Sequence, residues 1–207
     1  MPDAPTTTPA PAPARVHGPV RATLAALPLA DGWRVVGAAD TDAGGLVRLV
    51  GGCFVEYPGC VLDLPDLDAD LLAWGSALRS ADGAGWVVRD ERGELVASVG
   101  VAPSGVEWVA PSGVEGVAPS GAGTCELKRL YVDRVARRRG LGAALVAVVE
   151  AWARHRGAGR VELWSDTRFT DAHRLYERLG YADTGARRDL HDPSHTTELH
   201  MARTLAP

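Results

Sequence analysis

Cysteine is scarce in the sequence, and its few positions follow no recognisable spacing. The three cysteines, Cys53, Cys60 and Cys125, are odd in number and form no CxxC pair. A disulfide framework in a small secreted domain needs an even set of thiols. The sequence therefore predicts a reducing compartment, and we expect a cytoplasmic protein without disulfides.

Long apolar runs and a strong basic charge are also lacking. No segment approaches the roughly 18 consecutive apolar residues of a membrane span. The N-terminus does not show the basic-then-apolar order of a signal peptide. The formal net charge is −4, and Lys128 is the only lysine among 22 Lys and Arg residues. Because this balance argues against a protein that coats nucleic acid, we expect neither nucleic acid nor a membrane as a partner.

Two segments have an unusual composition. Residues 1–30 are rich in Pro, Ala and Thr, so they bury little apolar surface, and we predict a disordered tail. The remaining residues, 31–207, suit a single domain. Within them VAPSGVE occurs at 101–107 and 109–115, and VAPSG again at 117–121. Because PSG is a turn signal and the copies are too few for a solenoid, we interpret 102–123 as a hairpin loop lengthened by duplication.

The hydrophobic pattern of the domain predicts a mixture of strands and helices. Clusters of β-branched and aromatic residues indicate strands, and apolar residues at three- to four-residue spacing indicate helices. The predicted order is a strand from Trp33, a helix within 41–54, a helix over 67–80, a hairpin over 85–101, a strand over 125–133, a long helix from about 140, a strand over 161–166, a helix within 170–180 and two final strands. The strand–helix–strand unit over 125–166 should be parallel and right-handed.

The stretch RRRGLG at 137–142 is typical of an anion site. It lies between a predicted strand and the start of the long helix, where unpaired N–H groups carry a partial positive charge. Its two glycines let a ligand approach the backbone, and its arginines can bond phosphate oxygens. The sequence contains neither GxxxxGK[ST] nor GxGxxG after a strand, which excludes a P-loop and argues against a dinucleotide-binding Rossmann site. We therefore predict a different phosphate or pyrophosphate site.

Several motifs in fixed order resemble the GNAT superfamily of acetyl-CoA-dependent N-acetyltransferases. They are the strand LYVD, the pattern RxxGxG, an amphipathic helix, a second strand and AxxxYxxxGY at 172–181. The resemblance covers roughly 33–205 and is thin before residue 85. It implies an α/β fold with a mixed, mostly antiparallel central sheet flanked by helices, in which two parallel strands, about 125–133 and 161–166, splay apart.

The same resemblance implies an acyltransferase that uses acetyl-CoA as acyl donor and no metal. The acceptor would be a small-molecule amine or a peptide N-terminus. The resemblance leaves open whether the protein forms a homodimer. Main-chain groups of Leu130, Tyr131 and Val132 would bond the pantetheine arm. The pyrophosphate and the remainder of the cofactor would be held by Arg137, Arg138, Arg139, Gly140, Leu141, Gly142, Ala143 and Ala172.

Direct attack of the amine on the thioester, through a tetrahedral intermediate, needs an acid and a base. By resemblance, Tyr176 is the general acid that protonates the leaving thiolate. Glu126 on the first parallel strand is our preferred general base, and Asp166 at the end of the second is the rival.

Two positions depart from the pattern of the family. Phe169 stands where many members have a cofactor-contacting Asn, and Trp164 stands where some have a catalytic Glu. These departures support an alternative, a non-catalytic acyl-CoA-binding or sensing module. A metal site built from His191, His195 and His200 is not expected, because their spacing matches no zinc motif.

Overall fold

The computed structural model describes residues 18–64, 66–105 and 123–206. Over these ranges the chain forms five α-helices and seven strands. The helices are α1 (Gly18–Ala25), α2 (Ala43–Phe54), α3 (Trp74–Ser80), α4 (Leu141–His155) and α5 (Thr170–Arg178). The strands are β1 (Arg34–Gly37), β2 (Ala84–Arg89), β3 (Leu95–Pro103), β4 (Thr124–Val132), β5 (Arg160–Asp166), β6 (Ala182–Asp189) and β7 (Thr197–Thr204). None of the described helices is both long and apolar enough to cross a bilayer.

The strands form one sheet in the order β1-β2-β3-β4-β5-β7-β6. The β4–β5 pair is parallel, and every other neighbouring pair is antiparallel. Helix α4 makes the crossover between the two parallel strands, as the strand–helix–strand pattern predicted. The mixed, mostly antiparallel sheet flanked by helices is therefore confirmed.

The two parallel strands pair over only a short distance. Backbone pairing joins residues 124–126 of β4 to residues 160–162 of β5. Beyond those pairs β4 continues to Val132 and β5 to Asp166 without pairing to each other. The strands therefore diverge, which opens a gap in the middle of the sheet, and the predicted splay is present.

The core lies on both faces of the sheet. On one face, Leu145 and Val148 of α4 pack in a cluster with Leu127 of β4 and Leu163 of β5. On the other face, a second cluster joins α2 and α3 to the β2–β3 part of the sheet. Because side chains alternate along a strand, the neighbours of Leu127 on β4, Glu126 and Lys128, lie on the face opposite α4.

The first helix corrects the prediction of a disordered tail over 1–30. Helix α1 begins at Gly18, and Val20 and Leu27 are buried in the cluster that α4 forms with the sheet. A segment this poor in large apolar residues still folds, because the surface of α4 supplies the partner that local composition cannot reveal. Residues 1–17 and most of the repeat loop, 106–122, lie outside the described residues, so those two predictions stay predictions.

The predicted helix over 67–80 is also corrected. The chain forms a 3-10 helix over Ala69–Ala73 and only then the α-helix α3. The carbonyl of Leu67 and the carboxylates of Asp68 and Asp70 all accept hydrogen bonds from Arg129 of β4. This long-range partner explains why the first turn departs from regular α-helix.

Candidate functional site

One end of the gap between β4 and β5 meets the first turn of α4. Gly140, the residue before the helix, has φ +80°, a conformation that residues with a Cβ adopt only under strain. The first helical hydrogen bond is donated by Ala144 N–H to the Gly140 carbonyl. The N–H groups of residues 141–143 are therefore left at the open end of the helix, where they can bond an anion.

Gly142 has a packing role beyond the predicted ligand approach. A Cβ at this position would lie 3.2 Å from Leu175 Cδ2 of α5 and 3.8 Å from Val132 Cγ2 of β4. The start of α4, the end of β4 and the middle of α5 thus converge on this residue. A larger side chain would push these elements apart at the edge of the gap.

The three arginines of RRRGLG differ in their surroundings. Both terminal nitrogens of Arg137 bond Glu56 at 2.6 Å, and its Nε donates to the Val132 carbonyl at 2.8 Å. These bonds to Glu56 raise the pKa of Arg137. Arg138 and Arg139 are exposed, and Arg139 lies 5.8 Å from the ring centroid of Trp33. In this conformation most of the Arg137 guanidinium is engaged within the protein, whereas the other two guanidinium groups are exposed.

The β4 edge that faces the gap offers main-chain groups. Residues 130–132 lie beyond the last pair with β5, so no strand bonds that edge within the described residues. Their opposite edge still pairs with β3, where Tyr131 faces Ser98 and Val132 faces Ala97. This strand edge, on which the Val132 carbonyl already accepts a hydrogen bond from Arg137 Nε, leads to an open helix terminus. Such a path fits an elongated ligand with an amide-bearing arm and a phosphate end. The predicted residues 130–132 and 140–143 therefore lie along one edge of the gap, and their role in binding acetyl-CoA stays a prediction.

Tyr176 lies on α5 and is almost fully buried, with 5% of its surface exposed. Burial raises its pKa above the usual range, and nearby Tyr131 of β4 raises it further. Within the described residues its hydroxyl has no hydrogen-bond partner. The raised pKa keeps this hydroxyl protonated at neutral pH but also makes it a weaker acid, so its candidacy as a proton donor depends on its position beside the gap rather than on its pKa. Ala172 lies one turn earlier on the same helix, against the core.

The preferred base, Glu126, is only partly buried, with 19% of its side chain exposed. Its Oε2 lies 2.7 Å from Nζ of Lys128, two residues further along β4. Its register partner on β5 is Glu162, so it stands at the last paired position before the strands diverge. Glu126 is therefore at the mouth of the gap, in an ion pair with the ammonium group of Lys128.

The rival base, Asp166, is fully engaged. Arg168 bonds it through Nε at 2.9 and 3.0 Å and through a terminal nitrogen at 2.6 Å. The backbone N–H of Arg168 also donates to it at 2.8 Å, and the carboxylate is buried. Asp166 is buried and bonded by Arg168, so it is less accessible to an acceptor than Glu126, whose side chain is 19% exposed.

Glu198 of β7 is a third carboxyl group near the gap, which the sequence analysis missed. It lies opposite Asp166 in register and bonds Arg188 at 2.6 and 2.7 Å. Burial raises its pKa, Arg188 lowers it, and Glu126 raises it, with a net upward shift. The alternation of HTTELHMAR does place Glu198 and His200 on one face. Only the insertion of β7 beside β5 brings that face to the gap.

Four aromatic side chains form a continuous row on the α2 side of the gap. The ring centroids of Phe54 and Tyr131 are 6.0 Å apart, those of Phe54 and Phe169 are 5.8 Å apart, and those of Tyr57 and Phe169 are 4.7 Å apart. Phe169, which replaces the Asn of many family members, is thus packed against rings. The row extends from β4, on one side of the gap, to the residues that follow β5 on the other.

The histidines are dispersed. His191 and His195 are exposed in the β6–β7 turn, whereas His200 is buried on β7. The Nδ1 atom of His200 lies 2.8 Å from Thr184 Oγ1, and its Nε2 lies 3.4 Å from a carboxylate oxygen of Glu162. Among residues 18–64, 66–105 and 123–206, no group of His, Cys, Asp and Glu could hold a metal ion.

Comparisons with known proteins agree with this geometry. The sequence model of the acetyltransferase (GNAT) family matches residues 52–181. An uncharacterized N-acetyltransferase of Methanocaldococcus jannaschii is 32% identical over 99 residues, which cover 47% of this chain and 43% of that protein. The aminoglycoside N(6')-acetyltransferase type 1 of Serratia marcescens is 36% identical over 58 residues, which cover 28% of this chain and 40% of that protein. The chain thus spans less than half the length of the curated relatives it matches.

A solved structure extends the likeness to most of the chain. The putative acetyltransferase yncA of Salmonella typhimurium, determined with its cofactor acetyl-CoA, superposes with a TM-score of 0.60 at 17% identity. The superposition covers 85% of this chain and 95% of that one. At this identity the likeness shows the fold.

Proposed function

Because the chain belongs to the GNAT acetyltransferase family, we propose that it transfers an acetyl group from acetyl-CoA to a primary amine. The observation that carries the proposal is the junction of the β4–β5 gap with the open N-terminus of α4, beside the buried Tyr176. Both curated relatives are named as N-acetyltransferases, which supports an amine as acceptor.

Each part of the site has a task in this proposal. Acetyl-CoA supplies a thioester carbonyl that a neutral amine can attack. The N–H groups at the start of α4, with Arg138 and Arg139, bind its phosphates. Main-chain groups of residues 130–132 orient its arm, and an N–H of that strand stabilises the negative charge that develops on the carbonyl oxygen.

Two proton transfers complete the proposed reaction. Glu126, at the mouth of the gap, takes a proton from the acceptor ammonium, directly or through water. Tyr176 donates its hydroxyl proton to the leaving thiolate. The acceptor is a small-molecule amine or a peptide N-terminus that enters from the face opposite α4, where the carboxylates lie.

Ligand-dependent thermal unfolding tests the binding half of the proposal. Because a ligand that binds the folded state raises its stability with concentration, acetyl-CoA and CoA should raise the unfolding midpoint. ATP, which carries phosphates but no pantetheine arm, is the control and should shift it less. The absence of a shift at millimolar acetyl-CoA would contradict the proposal. Release of free CoA with a panel of amines tests the transfer itself.

A non-catalytic acyl-CoA-binding module is the second candidate. It is favoured by the ion pairs of both sequence-predicted bases, Glu126 with Lys128 and Asp166 with Arg168. In these pairs each carboxylate is already engaged with a basic side chain. This module would show the thermal shift with acetyl-CoA but no CoA release with any amine, and turnover with one acceptor rules it out.

A further inference from the structure

Strand β4 contains a bulge at the point where it leaves β5. Opposite β3, Ser98 pairs with Tyr131 but Gly100 pairs with Lys128, so Arg129 and Leu130 together face a single residue of β3. Arg129 has φ +52°, a left-handed conformation that is strained for a non-glycine residue. Bulges bend a strand and end its pairing. This one lies three residues after the last β4–β5 pair.

Contacts from a distant part of the chain hold this strained residue. The Arg129 guanidinium bonds Asp68 at 2.7 Å, bonds both carboxylate oxygens of Asp70, and donates to the Leu67 carbonyl at 3.1 Å. The Arg129 carbonyl accepts a hydrogen bond from Ser98 Oγ at 2.8 Å. Both the side chain and the main chain of the bulge are therefore fixed.

The carboxylates of Asp68 and Asp70 clamp the Arg129 guanidinium, and this clamp is mostly shielded from solvent. The side chains of Arg129, Asp68 and Asp70 are 17%, 10% and 4% exposed. Burial opposes the charge of Arg129, but Asp70 and Asp68 outweigh it and raise its pKa, so the guanidinium stays charged. Because the guanidinium is planar, hydrogen bonds from it to two carboxylates fix the orientation of the Arg129 side chain as well as its distance from Asp68 and Asp70.

We propose that Arg129 is a positioning residue for acetyl transfer: clamped by Asp68 and Asp70, it fixes the β4 bulge so that the main chain of residues 130–132 faces the gap at the orientation the thioester needs. This inference rests on the proposed function. The clamp also ties the chain between α2 and α3, which borders the face where the acceptor would enter, to the strand that holds the acyl donor.

Arg129→Gln tests the proposal, with Arg89→Gln as a matched control. Arg89 on β2 makes a similar partly buried ion pair with Asp42, also beside a register shift, but away from the gap. Because small misplacements at a reacting centre cost up to about 100-fold in rate, we expect Arg129→Gln to lower kcat at least about 10-fold. The KM for acetyl-CoA should change less than about threefold, since the α4 terminus still binds the phosphates. Arg89→Gln should lose a similar amount of stability but keep the wild-type kcat.

Two further variants separate the clamp from other effects. Arg129→Gly relieves the positive φ yet lacks the guanidinium, so it should lose kcat like Arg129→Gln. Arg129→Lys keeps the charge but cannot bond both carboxylates in the same way, so it should recover only part of kcat. If the other two variants fail to fold, the kcat of Arg129→Lys still tests the proposal.

Hydrogen exchange gives a readout that does not depend on turnover. Without ligand, the amides of residues 127–133 should exchange faster in Arg129→Gln than in Arg89→Gln. Equal exchange together with equal kcat in the two variants would overturn the inference while the proposed function stood. If the wild-type protein neither bound acetyl-CoA nor released CoA, the proposed function would fail and the inference with it.

Discussion

The two sides of the β4–β5 gap are built in different ways. At the α4 end, no hydrogen bond within the part of the chain that the structure describes occupies the N–H groups of residues 141–143, and Arg138 and Arg139 are exposed. On the face opposite α4, the carboxylates of Glu126, Asp166 and Glu198 are each bonded to a basic side chain. One side presents backbone N–H donors to a ligand, whereas on the other side the carboxylates are already paired with basic side chains.

This difference has a physical reason. Helix-terminal N–H groups stay in place without a ligand, because the helix itself fixes them. Carboxylates gathered in a partly buried space repel one another and are desolvated, so each needs a cation. In the proposed reaction, donor binding therefore uses a preformed site, whereas proton transfer requires one carboxylate to loosen its ion pair. The predictions below separate these two parts of the site.

Among the substitutions on the two sides of the β4–β5 gap, Tyr176→Phe should lower kcat the most. Loss of a general acid typically costs about 100-fold or more in rate, while the affinity for acetyl-CoA should stay unchanged. Tyr181→Phe is the control, because this neighbouring tyrosine is also buried but bonds Glu150 through its hydroxyl at 3.3 Å. It should keep kcat, and equal losses in the two variants, measured by CoA release, would remove Tyr176 from the acid role.

Glu126→Gln tests the carboxylate face. If Glu126 takes the proton, kcat at pH 7 should fall about 10- to 100-fold, and Glu198→Gln should change it less than about threefold. The pH dependence of kcat in both variants is the measurement. The reverse ranking would transfer the base role to Glu198, whose pKa burial raises.

Gly140→Ala tests the donor end, with Gly157→Ala as its matched control. These glycines flank the two ends of α4, have φ +80° and +76°, and leave room for a Cβ. Each substitution should cost about 1 to 2 kcal/mol of stability through left-handed strain. Only Gly140→Ala should weaken acetyl-CoA binding, by about 10-fold, in calorimetric titration. Equal affinities in the two variants would show that the ligand does not approach this backbone.

The smallest effect is expected far from the gap, at Asp183. Hydrogen bonds from the Arg187 side chain and from the Gly185 N–H lower its pKa to about 2. A lowered pKa contributes stability above the unfolded value near 3.8, and that contribution is lost as pH falls through about 2. Because the pair is exposed, Asp183→Asn should cost less than about 0.5 kcal/mol at pH 7. Urea unfolding should show the difference vanishing towards pH 2, and a constant difference would contradict this origin.

The elements around the donor site follow from local signals. The apolar stripe Leu141, Leu145, Val148 and Trp152 predicted α4; the first three residues are buried, and Trp152 is half-buried. The stretch RRRGLG was predicted to lie between a strand and the start of the long helix, and Gly140 indeed precedes the first helical residue. Such signals lie within a few residues of one another, so they can be interpreted without knowledge of the fold.

The missed features all depend on contacts between distant residues. Helix α1 is folded because α4 covers Val20, although the composition of its own segment indicated disorder. The side chain of Arg137 bonds Glu56, 81 positions earlier, and Arg129 bonds Asp70, 59 positions earlier. No local pattern indicates such pairs, because either partner alone has the sequence of an exposed charged residue.

By itself, the sequence determined the order of strands and helices from the hairpin onward, the start of α4 at RRRGLG and the family to which the chain belongs, since each is encoded in local motifs and their order along the chain. Only the tertiary structure decided which carboxylates are free to act, which arginines face a ligand and how β4 bends away from β5. Those properties arise from ion pairs, burial and strand order, which exist only once segments far apart in the chain are brought together.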